Sequence, residues 1–165
     1  MHAFFGAEHP VQRCGNHKIE NVVGHLPREL GELVRAVMKA AYRLAADQGM
    51  AKLQQQAHWL ETEYPSAAAS LLEGLAVTFT FNRLGLPLVL RRCLGTTNMV
   101  QSPTAGVRLR PWRVTNWRDG AMVLRWAAAA YLDTEKSFRC IMGYRNLWML
   151  RAVLNDTHPE EVRVA

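Results

Sequence analysis

The stretch ELGELVRAVMKAAYRL, residues 29–44, decides the fold class. It sets Leu30, Leu33, Val34, Val37, Met38, Ala41 and Leu44 at spacings of three and four, which makes one apolar stripe on an α-helix. Gly49 reads as an interruption, after which Met50, Leu53, Ala57, Leu60 and Tyr64 form a second stripe. Pro65 ends that helix, because the residue before a proline avoids the helical region, and it suits the first turn of the next. The third stripe is Ala68, Leu71, Leu72, Leu75, Ala76 and Phe79, and Gly85 and Pro87 then mark a break before a short helix over 88–94. Toward the N-terminus the helical period is lost, and Val11-Gln12-Arg13-Cys14, entered after Pro10, predicts one short strand.

Beyond residue 94 the punctuation by Gly95, Pro103, Gly106 and Pro111 predicts that 95–117 is the least regular part of the chain. Helix resumes near Arg118, with Asn116 as the N-cap and Asp119 close to the positive end. It runs through the alanine-rich stretch to Tyr131. A last helix is expected over 144–154 with Leu147, Leu150 and Leu154 buried, followed by a polar, fraying tail from Asp156. Trp126 and Trp148, inside helical runs, are expected in the core. The fold class is therefore mainly α, five or six helices with at most one or two short strands.

The net charge of +6 is concentrated in arginine. Arg83, Arg91, Arg92, Arg108, Arg110, Arg113, Arg118 and Arg125 lie in one stretch whose only acid is Asp119. A guanidinium fork suits phosphate, so Arg91, Arg92, Arg108, Arg110, Arg113 and Arg118 are the candidate DNA contacts. A set of solvated faces and ion pairs explains the same charges equally well. Trp112 and Trp117, in the same stretch, are candidates for stacking on bases.

The three cysteines, Cys14, Cys93 and Cys140, are scattered and odd in number, which points away from a disulfide framework and toward a reducing cytoplasm. No apolar run approaches a membrane span, and the N-terminus carries no signal-peptide pattern. Cys14 and His17 form a C-x-x-H pair, for which zinc would need two more ligands, with only His25, Cys93 and Cys140 to draw on. A buried Cys with a hydrogen-bonded His is the simpler reading. A third reading makes Cys14 a nucleophile with His17 as its base, in an unrelated helical enzyme. The acids form no evident cluster, so no resident metal is expected.

Four segments taken together resemble the Mutator-type transposases of bacterial insertion sequences. They are Val11-Gln12-Arg13-Cys14 with His17-Lys18 and Asn21-Val22, then Trp59-Leu60-Glu61 with Tyr64-Pro65. Next come Asn82-Arg83 with Arg91-Arg92 and Thr96-Thr97-Asn98, and finally Trp117-Arg118-Asp119 with Leu124-Arg125-Trp126, Glu135-Lys136 and Phe138-Arg139. The match runs from Val11 to Leu154, with Cys14, His17, Trp59, Glu61 and Asn98 as its signature positions. The resemblance implies a ribonuclease-H-like core with an Asp-Asp-Glu triad holding two magnesium ions, interrupted by a helical insertion, in an enzyme that cuts and joins DNA.

Two departures shape the expectation. The family's Glu falls in T-T-N-x-x-E-S, where this chain has Gln101. Both family Asp residues precede the C-x-x-H, whereas the residues before Cys14 contain no Asp. The expected organisation is residues 1–28 as a remnant of the core, 29–94 as the helical insertion and 95–165 as the core's C-terminal helices, with Pro103 and Pro111 breaking the helix that carries position 101. The expected function is that of a truncated transposase fragment of DNA transposition, inactive by itself, marginally stable or self-associating. The alternative is a module that binds DNA or the full-length transposase and competes with the intact enzyme.

Overall fold

The computed structural model describes residues 10–157, and no strand occurs among them. The helices are α1 (Gly15–Val23), α2 (Arg28–Ala41), α3 (Ala46–Glu61), α4 (Pro65–Leu72), α5 (Leu75–Thr78), α6 (Thr80–Arg83), α7 (Leu88–Leu94), α8 (Asn98–Leu109), α9 (Gly120–Glu135) and α10 (Leu147–Thr157). Single 3₁₀ turns stand at Pro111–Arg113 and Tyr144–Asn146. The mainly α expectation holds. Among the described residues, no helix is long and apolar enough to cross a membrane.

The core is built by α1 to α5 with Phe79: Ile19, Val22, Val34, Met38, Ala41, Leu53, Ala57, Leu60, Ala67, Leu71 and Phe79 are all essentially buried. The α2 stripe is narrower than its sequence suggests, since Val34, Met38 and Ala41 are sealed while Leu33 is 57% exposed. The first interruption falls at 42–45, not at Gly49, which lies inside α3. Its reason for being glycine is contact: a Cβ there would stand 2.3 Å from Phe79 Cε1 and 2.7 Å from the Ala41 carbonyl oxygen. Asn82 closes the end of α2 instead, its Nδ2 donating to the carbonyls of Tyr42 (3.1 Å) and Leu44 (2.8 Å). The third stripe is likewise cut, at Glu73 and Gly74, where Gly74 takes φ +63°, a left-handed turn that favours glycine.

Residues 11–14 do not form the predicted strand. Their partner is the α5–α6 turn, which offers no ladder. Arg13 N–H donates to Val77 O (3.1 Å), Gln12 Nε2 donates to Thr78 O (2.8 Å), Phe81 N–H donates to Gln12 Oε1 (3.1 Å) and Thr80 Oγ1 donates to Val11 O (2.7 Å). Only part of 95–117 is irregular: 114–117 carry no regular structure, but α8 continues across Pro103, with Thr104 Oγ1 donating to Val100 O (2.7 Å). The expected break at Pro111 does occur, as a 3₁₀ turn after α8. The N-cap of α9 is Asp119 itself, accepting from Met122 N–H at 2.6 Å, and not Asn116. A carboxylate is the stronger acceptor at a helix's positive end.

The C-terminal helices bury little. Of their side chains Val107, Ala130 and Thr134 are sealed, while Trp126 (41% exposed) and Trp148 (66%) lie on the surface, contrary to the expected core positions. Helical period marks one apolar stripe, but α9 is alanine-rich and apolar nearly all round, so period alone gives its tryptophan no inward side. Leu147 is also exposed, with Leu150 and Leu154 half-buried. The tail beyond Thr157 lies outside the described residues.

One charged residue is sealed in the interior. Lys18 is 1% exposed, and its Nζ donates to the carbonyls of Ser70 and Glu73 and stands 3.6 Å from Glu73 Oε2. Burial, and then the charge of Arg13, pull its pKa below 10.5, against the pull of Glu73. Lys18→Met is expected to cost about 1–3 kcal/mol, because the α4 carbonyls lose their donor. The unfolded chain binds the extra proton between the depressed folded pKa and 10.5, so this group makes stability rise with pH across that window. Urea unfolding at several pH values should show wild type gaining on Lys18→Met as pH climbs, and a constant difference would contradict it. Gly49→Ala is expected to destabilise by about 1–3 kcal/mol through overpacking, read as a lower urea midpoint with unchanged slope.

Candidate functional site

Two helix N-termini meet at the site. Cys14 is the residue before α1 and Thr97 the residue before α8, and neither helix has an acid in its first turn. Gly15 N–H donates to Gly95 O at 2.9 Å, which ties the start of α1 to the end of α7. Thr97 makes no capping bond to its own helix. Its hydroxyl lies 3.6 Å from Cys14 Sγ and 3.5 Å from His17 Nδ1. One turn into α8, Gln101 Nε2 lies 3.3 Å from His17 Nε2. Residues about 80 apart in sequence are thus joined in one polar chain.

The direction of that chain follows from its donors. The Gln101 amide N–H donates to His17 Nε2, so the ring's proton is on Nδ1 and points at Thr97 Oγ1. The threonine hydroxyl is then free to donate to the sulfur. Burial pushes the Cys14 thiol up, but the backbone N–H of His17, the Thr97 hydroxyl and the backbone N–H groups of Thr97 and Asn16 outweigh it and bring the thiol down to about 7. No direct sulfur–imidazole bond joins Cys14 and His17 among the described residues; Thr97 stands between them.

The six candidate arginines divide. Arg91 NH1 donates to Leu44 O (3.1 Å), and Arg110 pairs with Asp133 (2.6 Å) while donating to Gly106 O (2.7 Å). Both are half-buried and hold helices together. Arg92, Arg108, Arg113 and Arg118 are exposed and form no ion pair among the described residues. Trp112 and Trp117 are exposed beside them. Asn98 is the first residue of α8, while Trp59 and Glu61 face solvent on α3, where Glu61 meets His58 at 3.3 Å.

A cleft of about 440 Å³ adjoins the cluster, lined among others by Asn16, Lys39, Arg43, Arg92 and Asn98. Lys39 and Arg43, one helical turn apart at the end of α2, are not among the cations that the sequence points to, because the arginine-rich stretch lies elsewhere. Their i, i+4 spacing was the available signal.

The residues present do not fit the magnesium site that the resemblance implies. Position 101 offers a neutral amide whose nitrogen faces His17, and no three His, Cys, Asp or Glu side chains converge among the described residues. Zinc at Cys14 and His17 fails on the same ground, since His25, Cys93 and Cys140 do not join them.

Comparison with known proteins bears on this geometry. The chain is 29% identical over 144 residues to the transposase for insertion sequence element ISRM5 of Rhizobium meliloti (strain 1021). That match covers 85% of this chain and 35% of the relative, so the chain spans about a third of the relative's length. No solved structure matches it. The family model described as transposase, Mutator family, matches residues 2–140, and the chain belongs to that family.

Proposed function

We propose that this chain acts in insertion-sequence transposition as a DNA-contacting part of a Mutator-type transposase that does not itself cut DNA. The observation that carries the reading is Gln101. It meets His17, which Thr97 links in turn to Cys14, yet the position supplies an amide that carries no charge and accepts no proton. DNA contact falls to the exposed Arg92, Arg108, Arg113 and Arg118, for which no acid among the described residues competes.

A second reading, a module that docks on the full-length transposase or on its own copies and competes with the intact enzyme, draws on α9 and α10. Leu124, Leu132 and Trp148 there are 71%, 65% and 66% exposed. A helix apolar nearly all round is one that another surface covers. Both readings agree that binding, not cleavage, is the chain's contribution.

Binding to duplex DNA, followed by gel shift at several salt concentrations, is expected to weaken steeply with salt. Replacing Arg108, Arg113 and Arg118 by Ala should lower the log–log salt slope by about 1 for each phosphate that is no longer neutralised. A salt-independent affinity, or none at low salt, contradicts the reading. Gln101→Glu is expected to leave magnesium-dependent plasmid nicking at background, since one carboxylate finds no partners; nicking by that variant shows that the acids are present after all.

The same variant tests the hydrogen-bond chain. A carboxylate at 101 accepts from His17 Nε2–H, which turns Nδ1 into an acceptor and draws the Thr97 hydroxyl off the sulfur. Alkylation of Cys14 by iodoacetamide, followed on its peptide by mass spectrometry, should have a midpoint near pH 7 in wild type. The midpoint should rise in both Gln101→Glu and Thr97→Val. The lowered thiol pKa also means that its stabilising effect is complete above about 9 and is lost as pH falls through about 7. An unmoved midpoint in both variants shows that the chain does not run this way.

A further inference from the structure

The cleft beside the cluster is unlike the rest of the surface. Lys39, Arg43, Arg91 and Arg92 reach it from the end of α2 and from α7, and no acid lines it among the described residues. Glu20, whose carboxylate feels the charge of Lys39, is held by Arg35 through both oxygens. Asn98 brings the acid-free first turn of α8 to the same wall, so a positive helix end adds to the cations, whereas the first N–H groups of α1 are already taken by Gly95 O and Cys14. Ordinarily the carboxyl end of α2 would repel an anion here. Its Tyr42 and Leu44 carbonyls are already occupied by Asn82 and Arg91.

We propose that this cleft binds the phosphate of one nucleotide of an unpaired DNA strand, held by Lys39, Arg43 and Arg92 against the first turn of α8. The proposal rests on the DNA-contacting reading above and names a site for it. The volume of 440 Å³ is the scale of a small-molecule pocket, with room for one nucleotide, base included, which a strand can turn inward and a paired duplex cannot. Asn16 and Asn98 supply amide groups for a base edge, and Phe81 and Met142 the apolar contact for its ring. Arg108, Arg113 and Arg118 lie outside this lining, so of the four exposed arginines only Arg92 serves the cleft.

The test compares fluorescence anisotropy of a labelled single-stranded 12-mer and of its duplex, on the whole chain, in wild type and two triple variants. One variant replaces Lys39, Arg43 and Arg92 by Ala; the other replaces Arg108, Arg113 and Arg118. All six side chains are exposed, so folding should survive, and thermal melts followed by circular dichroism check it. The cleft variant is expected to lose about tenfold or more in single-strand affinity, with a salt slope lower by about 2, while the other variant loses mainly duplex binding. Equal losses in both variants, or none in the cleft variant, overturn the proposal and leave DNA contact standing. Failure of wild type to bind either DNA overturns both. Deoxyadenosine monophosphate or inorganic phosphate competing as well as the strand does, mole for mole, overturns the strand as occupant in favour of a free phosphate compound.

Discussion

The arrangement depends on one buried ammonium. Lys18 reaches through the core to the last carbonyls of α4, where its charge opposes the negative end of that helix. Arg13 grips the same Glu73 from outside, with NH2 at 3.0 Å from Oε2 and NH1 at 3.2 Å from the carbonyl oxygen. Lys18 N–H in turn donates to Cys14 O at 3.1 Å, so anchoring Lys18 anchors the start of its own helix. The cost of burying a charge is offset only while every donor is met, which makes the position of α1 narrow. Because Cys14 and His17 ride on that helix, their geometry is set by a contact to α4 that neither residue touches.

The same economy of donors separates structural from available charge. Asn82 and Arg91 occupy the carbonyls that end α2, and Arg110 fixes α8 against Asp133 on α9. These groups are part of the scaffold and have little freedom to meet a ligand. With those carbonyls satisfied, Lys39 and Arg43 need not turn back to cap their own helix. An arginine count cannot separate these classes, since they differ only in where a carbonyl or carboxylate happens to lie.

Much of the fold was legible because helical period reports burial: Val34, Met38, Leu53, Ala57, Leu60 and Leu71 are all sealed where their stripes place them. Where it misled, a tertiary contact had taken over from a local rule. Gly49 reads as a break but is a close approach to Phe79, and Pro103 reads as a break but sits within α8. Residues 11–14 have a strand's composition and, among the described residues, no strand to pair with. At the site, Cys14, His17 and Gln101 were visible as family positions. Thr97 was visible only as part of a string, because its part in the cluster comes from bridging two helices whose meeting no spacing rule predicts.

The substitution at position 101 acts on charge as well as on chemistry. A carboxylate there would place a negative charge at the meeting of two positive helix ends, a short helical turn from a cleft wall that carries four cations. That charge suits metal ions, which would neutralise it, and without them it repels phosphate. An amide removes the repulsion and leaves the cationic wall uncompensated. On the proposed reading, the change that costs the chain its proton acceptor is therefore the change that favours holding a phosphodiester, so loss of cleavage and gain of affinity are two consequences of one missing charge.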